Sequence, residues 1–181
     1  ASVGPQPYGT PQGDLFSFTV VIEGLANGNA YTAQVTAVNE KGEGPSESNG
    51  EPDIPVTQAS APQNVTATAE SGSVIKLSWS RPLNNGGSAI TGYVVRAYKV
   101  SEKNYETGEY EAVTRKLVKT YGDGEDKITG TIYKATGLET GAGYEFEVTA
   151  VTEAGEGLVS DAANGATHTK PGKAVITDAY S

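Results

Sequence analysis

The residues of this 181-residue sequence that are best suited to chemistry are a short acidic run and a set of tyrosines. Asp123, Glu125 and Asp126 stand within four positions of one another, and carboxylate oxygens are ligands that Ca²⁺ prefers. Their spacing lacks the alternate-residue ligand order of a known calcium loop, so a simple acidic turn is the competing interpretation. Ca²⁺ is the one metal or cofactor that the sequence suggests, and no other is expected.

Tyrosines are concentrated between residues 93 and 144. On strands whose side chains alternate between two faces, Tyr93, Tyr133 and Tyr144 have the parity of the core. The outward-facing tyrosines of this region are candidate partner contacts: Tyr98, Tyr105, Tyr110 and Tyr121. Exposed rings can stack on sugars or act as hot spots for a protein partner. The alternative is that these tyrosines have no partner and occur here only because tyrosine favours β-strands.

No residue pattern in the sequence is typical of an active site. The only histidine, His168, stands where a linker begins, and there is no cysteine. The zinc-protease, nucleophile-elbow and P-loop motifs are all absent, and no carboxylate has an apolar context that would raise its pKa for acid catalysis. We therefore expect a protein that is not an enzyme.

Composition and charge favour an acidic all-β protein. The 22 acidic and 13 basic residues give a net charge of -9 without a Lys/Arg cluster, so nucleic acid is not an expected partner. No run of 18 apolar residues is present, so membrane insertion is not expected. Val, Thr and Tyr carry the apolar pattern among 23 Gly and 9 Pro, which favours strands joined by turns.

One segment of the sequence occurs twice. Residues 24–44 recur without a gap at 137–157, so the offset is 137 − 24 = 113 residues. A second match links Pro62 with Pro171 at a similar offset. The repeat predicts three parts: the second half of a module in 1–57, a complete module in 58–170, and the first strand of a further module, or a tail, in 171–181.

The complete unit has the period-two pattern of about seven strands. One strand places Ile75, Leu77 and Trp79 on the inner face, a longer strand follows Tyr93, and further strands are predicted at 115–121 and near 158–168. Seven short strands with turns every 8–15 residues predict an immunoglobulin-like β-sandwich.

This pattern resembles the fibronectin type III family. The resemblance is carried by Pro62, Val65, Leu77, Trp79, Pro82, Gly86, Gly87, Ile90, Gly92, Tyr93, Val95, Gly137, Leu138, Tyr144, Val148, Ala150, Gly155, Gly157 and Ser160. It implies structural roles for Trp79 and Tyr93. It also implies a tyrosine corner at Leu138 and Tyr144, in which the tyrosine hydroxyl bonds to upstream backbone. Leu25 and Tyr31 repeat that corner, and the resemblance suggests tandem modules of the bacterial surface, secreted or phage virion type.

One segment departs from the family pattern. The stretch 101–126 is longer than the family needs, and it predicts an extended hairpin around Glu106, Thr107 and Gly108. A long hairpin on a compact sandwich is a candidate contact site, and a solvated hairpin without a partner is the alternative.

The half module at the start of the chain cannot close a sandwich by itself. Its inner face carries eight apolar or aromatic residues: Phe18, Val20, Ile22, Leu25, Tyr31, Ala33, Val35 and Ala37. Burying a large apolar side chain contributes about 1.5–3 kcal/mol, so we expect the missing strands to exist elsewhere. Either the chain is an excerpt of a longer polypeptide, or strands of another chain complete it.

These observations predict a non-catalytic structural or adhesive spacer of an extracellular, cell-surface or virion protein. Its expected partners are other protein modules or copies of itself, with glycans as a further possibility. An accessory module of a secreted polysaccharide-degrading enzyme and a carbohydrate-binding module are the alternatives.

Overall fold

The computed structural model describes residues 10–12, 15–17, 19–104 and 106–168. The chain divides into two compact units, Ala1–Thr57 and Gln58–Ser181. All regular structure in the described residues is β, which confirms the all-β prediction.

Four short strands belong to the first unit, and eight belong to the second. The first unit contains β1 (Thr10–Gln12), β2 (Leu15–Ser17), β3 (Gln34–Asn39) and β4 (Gly42–Ser48). The second unit contains β5 (Gln63–Ser71), β6 (Val74–Ser80), β7 (Gly92–Lys103), β8 (Tyr110–Tyr121), β9 (Ile132–Ala135), β10 (Ala142–Thr152), β11 (Gly155–Glu156) and β12 (Ala163–Ala166).

The second unit is a sandwich of two antiparallel sheets. One sheet has the order β5-β6-β9, and the other has the order β11-β10-β7-β8, with β12 also paired to β10. The unit has eight strands and not the predicted seven, because two separate short strands, β11 and β12, both pair with β10. Between them the chain stays close to β10, since the amide of Ser160 donates to the carbonyl of Val148.

The core of this sandwich comes from the inner faces of both sheets, as strand alternation dictates. Ile75, Leu77 and Trp79 alternate inward along β6, as predicted. The members of the core that β7 and β10 supply are Tyr93, Val95, Ala97, Ala142, Tyr144, Phe146, Val148 and Ala150.

The predicted long hairpin is confirmed by the pairing of β7 with β8. Its turn is held by Asn104, whose carbonyl accepts from the Gly108 amide and whose side chain accepts from the Glu106 amide. Gly108 has a φ of 79°, a conformation that glycine adopts without steric cost. The second strand begins at Tyr110 and not at residue 115, so both strands are 12 residues long.

The first unit contains two separate antiparallel pairs, β1 with β2 and β3 with β4. Of the eight inner-face residues predicted, Phe18 lies outside the described residues. Four others are half-buried: Val20, Leu25, Tyr31 and Ala33. Ile22, Val35 and Ala37 are exposed. The predicted strand in 171–181 also lies outside the described residues.

Candidate functional site

Trp79 and Tyr93 lie in the core and not at a surface. Their ring centroids are 5.3 Å apart at an interplanar angle of 64°, an edge-to-face arrangement that aromatic pairs prefer. Both side chains are almost fully buried, and burial raises the pKa of the Tyr93 hydroxyl. These two residues stabilise the sandwich.

Each unit contains a tyrosine whose hydroxyl is tied to backbone five residues upstream. In the second unit, the Tyr144 hydroxyl accepts a hydrogen bond from the Glu139 amide at 2.9 Å. In the first unit, the Tyr31 hydroxyl accepts from the Ala26 amide at 3.0 Å. Leu138 is buried beside the first tie, and Leu25 is half-buried beside the second. The two copies of the repeat therefore have the same local structure.

A cluster of charged and aromatic side chains is formed by residues of β7, β8 and β10. The Arg115 guanidinium stands 3.5 Å from the centroid of the Tyr98 ring. Its Nε donates to Glu145 at 2.8 Å and its Nη2 donates to Glu147 at 2.5 Å. Arg115 therefore connects β8 with β7 and β10, and it covers one face of the Tyr98 ring.

Sequence reasoning did not single out Arg115, Glu145 or Glu147. The alternation of Glu145 and Glu147 along β10 was visible, and it indicates two carboxylates on one face of a strand. Which residue they meet depends on the pairing of β7 with β8, and that pairing contains two register shifts. The nearby Arg96 forms a similar ion pair, with its Nη2 2.8 Å from a carboxylate oxygen of Glu156.

The other three candidate contact tyrosines differ in position. Tyr121 belongs to the core, with 7% of its surface exposed, and this corrects its predicted outward placement. Its hydroxyl donates to the Thr136 carbonyl at 2.9 Å. Tyr110 is 43% exposed, and its hydroxyl donates to the Thr167 carbonyl. Tyr105 lies outside the described residues.

The acidic segment forms a surface turn after β8. Asp123, Glu125 and Asp126 line a shallow depression together with Tyr133. Within the described ranges, no three acidic, histidine or cysteine side chains converge to hold a metal ion. The calcium site suggested by the sequence stays a prediction, with these three carboxylates around one surface depression.

Shifted pKa values in the second unit have structural causes. Burial raises the pKa of Tyr121 and that of Tyr144, and it does the same for Tyr133. Hydrogen bonds to Glu139 and Glu102 raise the pKa of Lys99. His168 stands at the end of the described chain, after β12. Tyr121 and Tyr133 lie against each other with ring centroids 5.4 Å apart, whereas Lys99 belongs to a surface ion pair.

The inner face of the first unit carries exposed apolar side chains. Val35 is 54% exposed, whereas Val148, its equivalent in the repeat, is fully buried. Ala37 is exposed, whereas its equivalent Ala150 is fully buried. Among the described residues, the same inner-face positions are therefore buried in the second unit and exposed in the first.

No helix capable of crossing a membrane occurs in the part of the chain that the structure describes.

The two-sheet architecture and the tyrosine ties define an immunoglobulin-like β-sandwich protein. The crystal structure of a run of titin domains has the same fold, with a TM-score of 0.51 at 22% identity over 81% of this chain and 44% of that chain. The family model of the fibronectin type III domain matches residues 60–166. The chain belongs to the fibronectin type III domain family.

Its relatives include several animal proteins. Human Myomesin-2 is 34% identical over 146 residues, which are 78% of this chain and 9% of that protein. The Drosophila melanogaster cell adhesion molecule Dscam1 is 34% identical over 148 residues, which are 80% of this chain and 6% of that protein. The netrin receptor DCC of Rattus norvegicus is 32% identical over 146 residues, which are 77% of this chain and 9% of that protein. The chain thus spans less than a tenth of these relatives, and they give no support to a bacterial or phage type of module.

Proposed function

We propose that this chain is a non-catalytic structural and adhesive spacer built from tandem fibronectin type III modules. Residues 1–57 are the second half of one module, 58–170 are a complete module, and 171–181 begin another. The observation that carries the proposal is the ungapped repeat at an offset of 113 residues, because each copy keeps its own hydroxyl-to-backbone tie at Tyr31 and Tyr144.

The side chains of the second unit support a scaffold role. Several aromatic residues make contacts within the unit: Trp79 and Tyr93 pack edge to face, Tyr121 is buried, and Arg115 lies over one face of the Tyr98 ring. A sugar-binding platform needs aromatic faces open to solvent. These placements favour a spacer over a carbohydrate-binding module.

The similarity to a cell adhesion molecule and to a netrin receptor supports a position at the cell surface or outside the cell. The expected partners are other protein modules or copies of the same protein. The hairpin formed by β7 and β8 is the contact segment that we propose, since β8 is an edge strand of its sheet and carries the half-exposed Tyr110.

A mechanical spacer has to resist extension. When the full chain is held at its two ends and pulled, we expect the matched domain of residues 60–166 to open in a single cooperative step. Because an extended residue spans about 3.5 Å, the step should lengthen the chain by roughly 350 Å. Single-molecule force spectroscopy measures both the step and its force.

Two variants make this experiment specific. Phe146→Ala removes a fully buried ring from the core and should lower the opening force, whereas Leu158→Ala truncates an exposed side chain and should leave it unchanged. Gradual lengthening of the unaltered chain without a step would rule out the spacer role.

A further inference from the structure

One motif of the sequence has no part in the proposed spacer, namely the triplet Asn64-Val65-Thr66 in β5. It is the only Asn-X-Ser/Thr triplet of the chain, and its middle residue is not proline. Such a triplet is the acceptor for N-linked glycosylation in proteins that follow the secretory route. Because a glycan is bulky and hydrated, the folded unit has to leave the Asn64 side chain in solvent.

A β-bulge near the start of β5 places Asn64 at the surface. The ladder of β5 with β6 shifts register between Gln63 and Thr66, and a bulge of this kind changes the direction of the side chains within it. Asn64 has a φ of 53°, and it is the only residue other than glycine with a positive φ in the described part of the chain. Asparagine tolerates this conformation better than most residues do. Val65 packs against the core, whereas Asn64 is exposed.

The two reactive groups of the motif make only surface contacts. The Nδ2 atom of Asn64 donates to the hydroxyl of the exposed Ser80 at 3.4 Å, which is longer than the ordinary distance of about 2.9–3.0 Å. The hydroxyl of Thr66, which is also exposed, lies 2.8 Å from that of Ser78. Attachment of a sugar to Nδ2 therefore costs the folded unit at most one long surface hydrogen bond.

The free edge of β5 lacks the basic side chains that the edge strands β8 and β9 carry. β5 is nine residues long and lies at the end of the sheet β5-β6-β9, and no strand of the described residues pairs with its outer edge. Residues 63–69 contain no charge, whereas β8 carries Lys116 and β9 carries Lys134. Charged side chains on an edge oppose pairing with another chain, and an uncharged edge favours it unless something covers it.

We propose that Asn64 carries an N-linked glycan and that this glycan covers the free edge of β5. The proposal rests on the proposed position of the chain at the cell surface or outside the cell. In the transfer, Nδ2 of Asn64 forms a bond to the anomeric carbon of a lipid-diphosphate-linked oligosaccharide. The bond between that carbon and the diphosphate breaks, the amide gives up one proton, and the lipid diphosphate is the leaving group.

This position of the glycan leaves the proposed contact hairpin accessible. Asn64 stands near the start of β5, whereas Gly72, just after the end of β5, lies beside the carbonyl of His168. Tyr110 of the hairpin bonds to the neighbouring Thr167. The length of β5 separates these two places by about 20 Å, since each strand residue adds about 3.3 Å. A spacer can therefore be protected along its edge and still make contacts through β8.

The full chain, secreted from animal cells behind a cleavable signal peptide, tests the site. An amidase that removes N-linked glycans should lower its mass and convert Asn64 into aspartate, which peptide mass spectrometry locates. Thr66→Ser keeps the motif and should keep the glycan, whereas Thr66→Val removes the hydroxyl at the same exposed position and should lose it. A secreted chain with an unmodified Asn64 would overturn the proposal. It would leave the spacer role standing, because force spectroscopy measures that role independently.

Asn64→Gly tests the cover. This change removes the side-chain amide, and glycine adopts the positive φ without steric cost, so the bulge should persist. In sedimentation, we expect the variant to self-associate at a concentration at least about tenfold lower than the glycosylated chain does. Adding Thr68→Lys places a charge on an exposed position of β5 and should restore the monomer. Equal self-association of the glycosylated chain and Asn64→Gly would overturn the role of the glycan as a cover.

Discussion

The hydroxyl of Tyr144 forms a hydrogen bond that a phenylalanine at this position could not form. It accepts from the Glu139 amide, and the ring is almost fully buried. Tyr144→Phe removes the hydroxyl and leaves that amide without this acceptor, so it should lower the free energy of unfolding by about 1–2 kcal/mol. Urea unfolding followed by the fluorescence of Trp79, the only tryptophan, measures the change.

Tyr110→Phe is the matched control for that measurement. The Tyr110 hydroxyl also bonds to backbone, at 3.0 Å from the Thr167 carbonyl, but its side chain is 43% exposed. Water can replace the lost partner, so the loss should stay below about 0.5 kcal/mol. Equal losses for the two variants would contradict the importance assigned to the buried tie.

At the scale of the elements, the side chain of Arg115 adds contacts between β8 and the other strands of its sheet to those of the backbone ladder. It stacks on Tyr98 of β7 and bonds to Glu145 and Glu147 of β10. Arg115→Lys keeps the charge but loses the planar fork that makes these contacts together. We expect the amides of residues 112–118 to exchange several-fold faster, because this part of β8 is an edge strand whose pairing is irregular.

Lys116→Arg is the control for Arg115→Lys, since it makes the reverse change at the neighbouring position. It should leave the exchange rates of β8 unchanged. If both variants accelerated exchange to the same extent, the effect would come from any side-chain replacement on β8 and not from the loss of the Arg115 cluster. Hydrogen exchange with residue resolution distinguishes the two outcomes.

The strands that alternate regularly could be predicted from the sequence. Along β6, Ile75, Leu77 and Trp79 point inward as their spacing indicates. Tyr121 could not be placed in the same way, because the side-chain direction in an edge strand depends on its register with its partner. The β7–β8 ladder shifts register between Ala97 and Tyr98, and such a shift changes which residues face the core.

The candidate contacts were less predictable than the fold for a related reason. Tyr98 has outward parity, but parity does not reveal that Arg115 lies on its ring. Arg115 reaches it from a strand 17 positions along the chain, and it pairs with carboxylates 30 and 32 positions further on. Side-chain partners across a sheet follow from register, and register at an irregular edge is a property of the folded molecule.

At the scale of the whole molecule, four tyrosines of the second unit couple stability to alkaline pH. Burial raises the pKa of Tyr93, Tyr121, Tyr133 and Tyr144 above the ordinary value of 10.0. Above that pH, the unfolded chain loses tyrosine protons that the folded chain keeps. Because the unfolded state then binds fewer protons, the free energy of unfolding falls as the pH rises.

The size of this dependence is set by the number of buried hydroxyls. Each can contribute a slope of up to about 1.4 kcal/mol per pH unit above its unfolded pKa. Lys99 acts in the same direction, since its ion pairs raise its pKa and are lost when it is deprotonated. We therefore expect stability to be nearly constant up to about pH 9.5 and to fall steeply above about pH 10.

Two variants identify the tyrosines as the origin of the slope. Tyr121→Phe removes one titrating group from the core, so the fall above about pH 10 should become shallower by up to about 1.4 kcal/mol per pH unit. Val148→Ala destabilises the same core without removing a titrating group, so it should lower the curve at every pH and leave its slope unchanged. Urea unfolding between pH 8 and pH 11 gives both curves. A slope that Tyr121→Phe does not change would assign the alkaline loss to groups other than Tyr121.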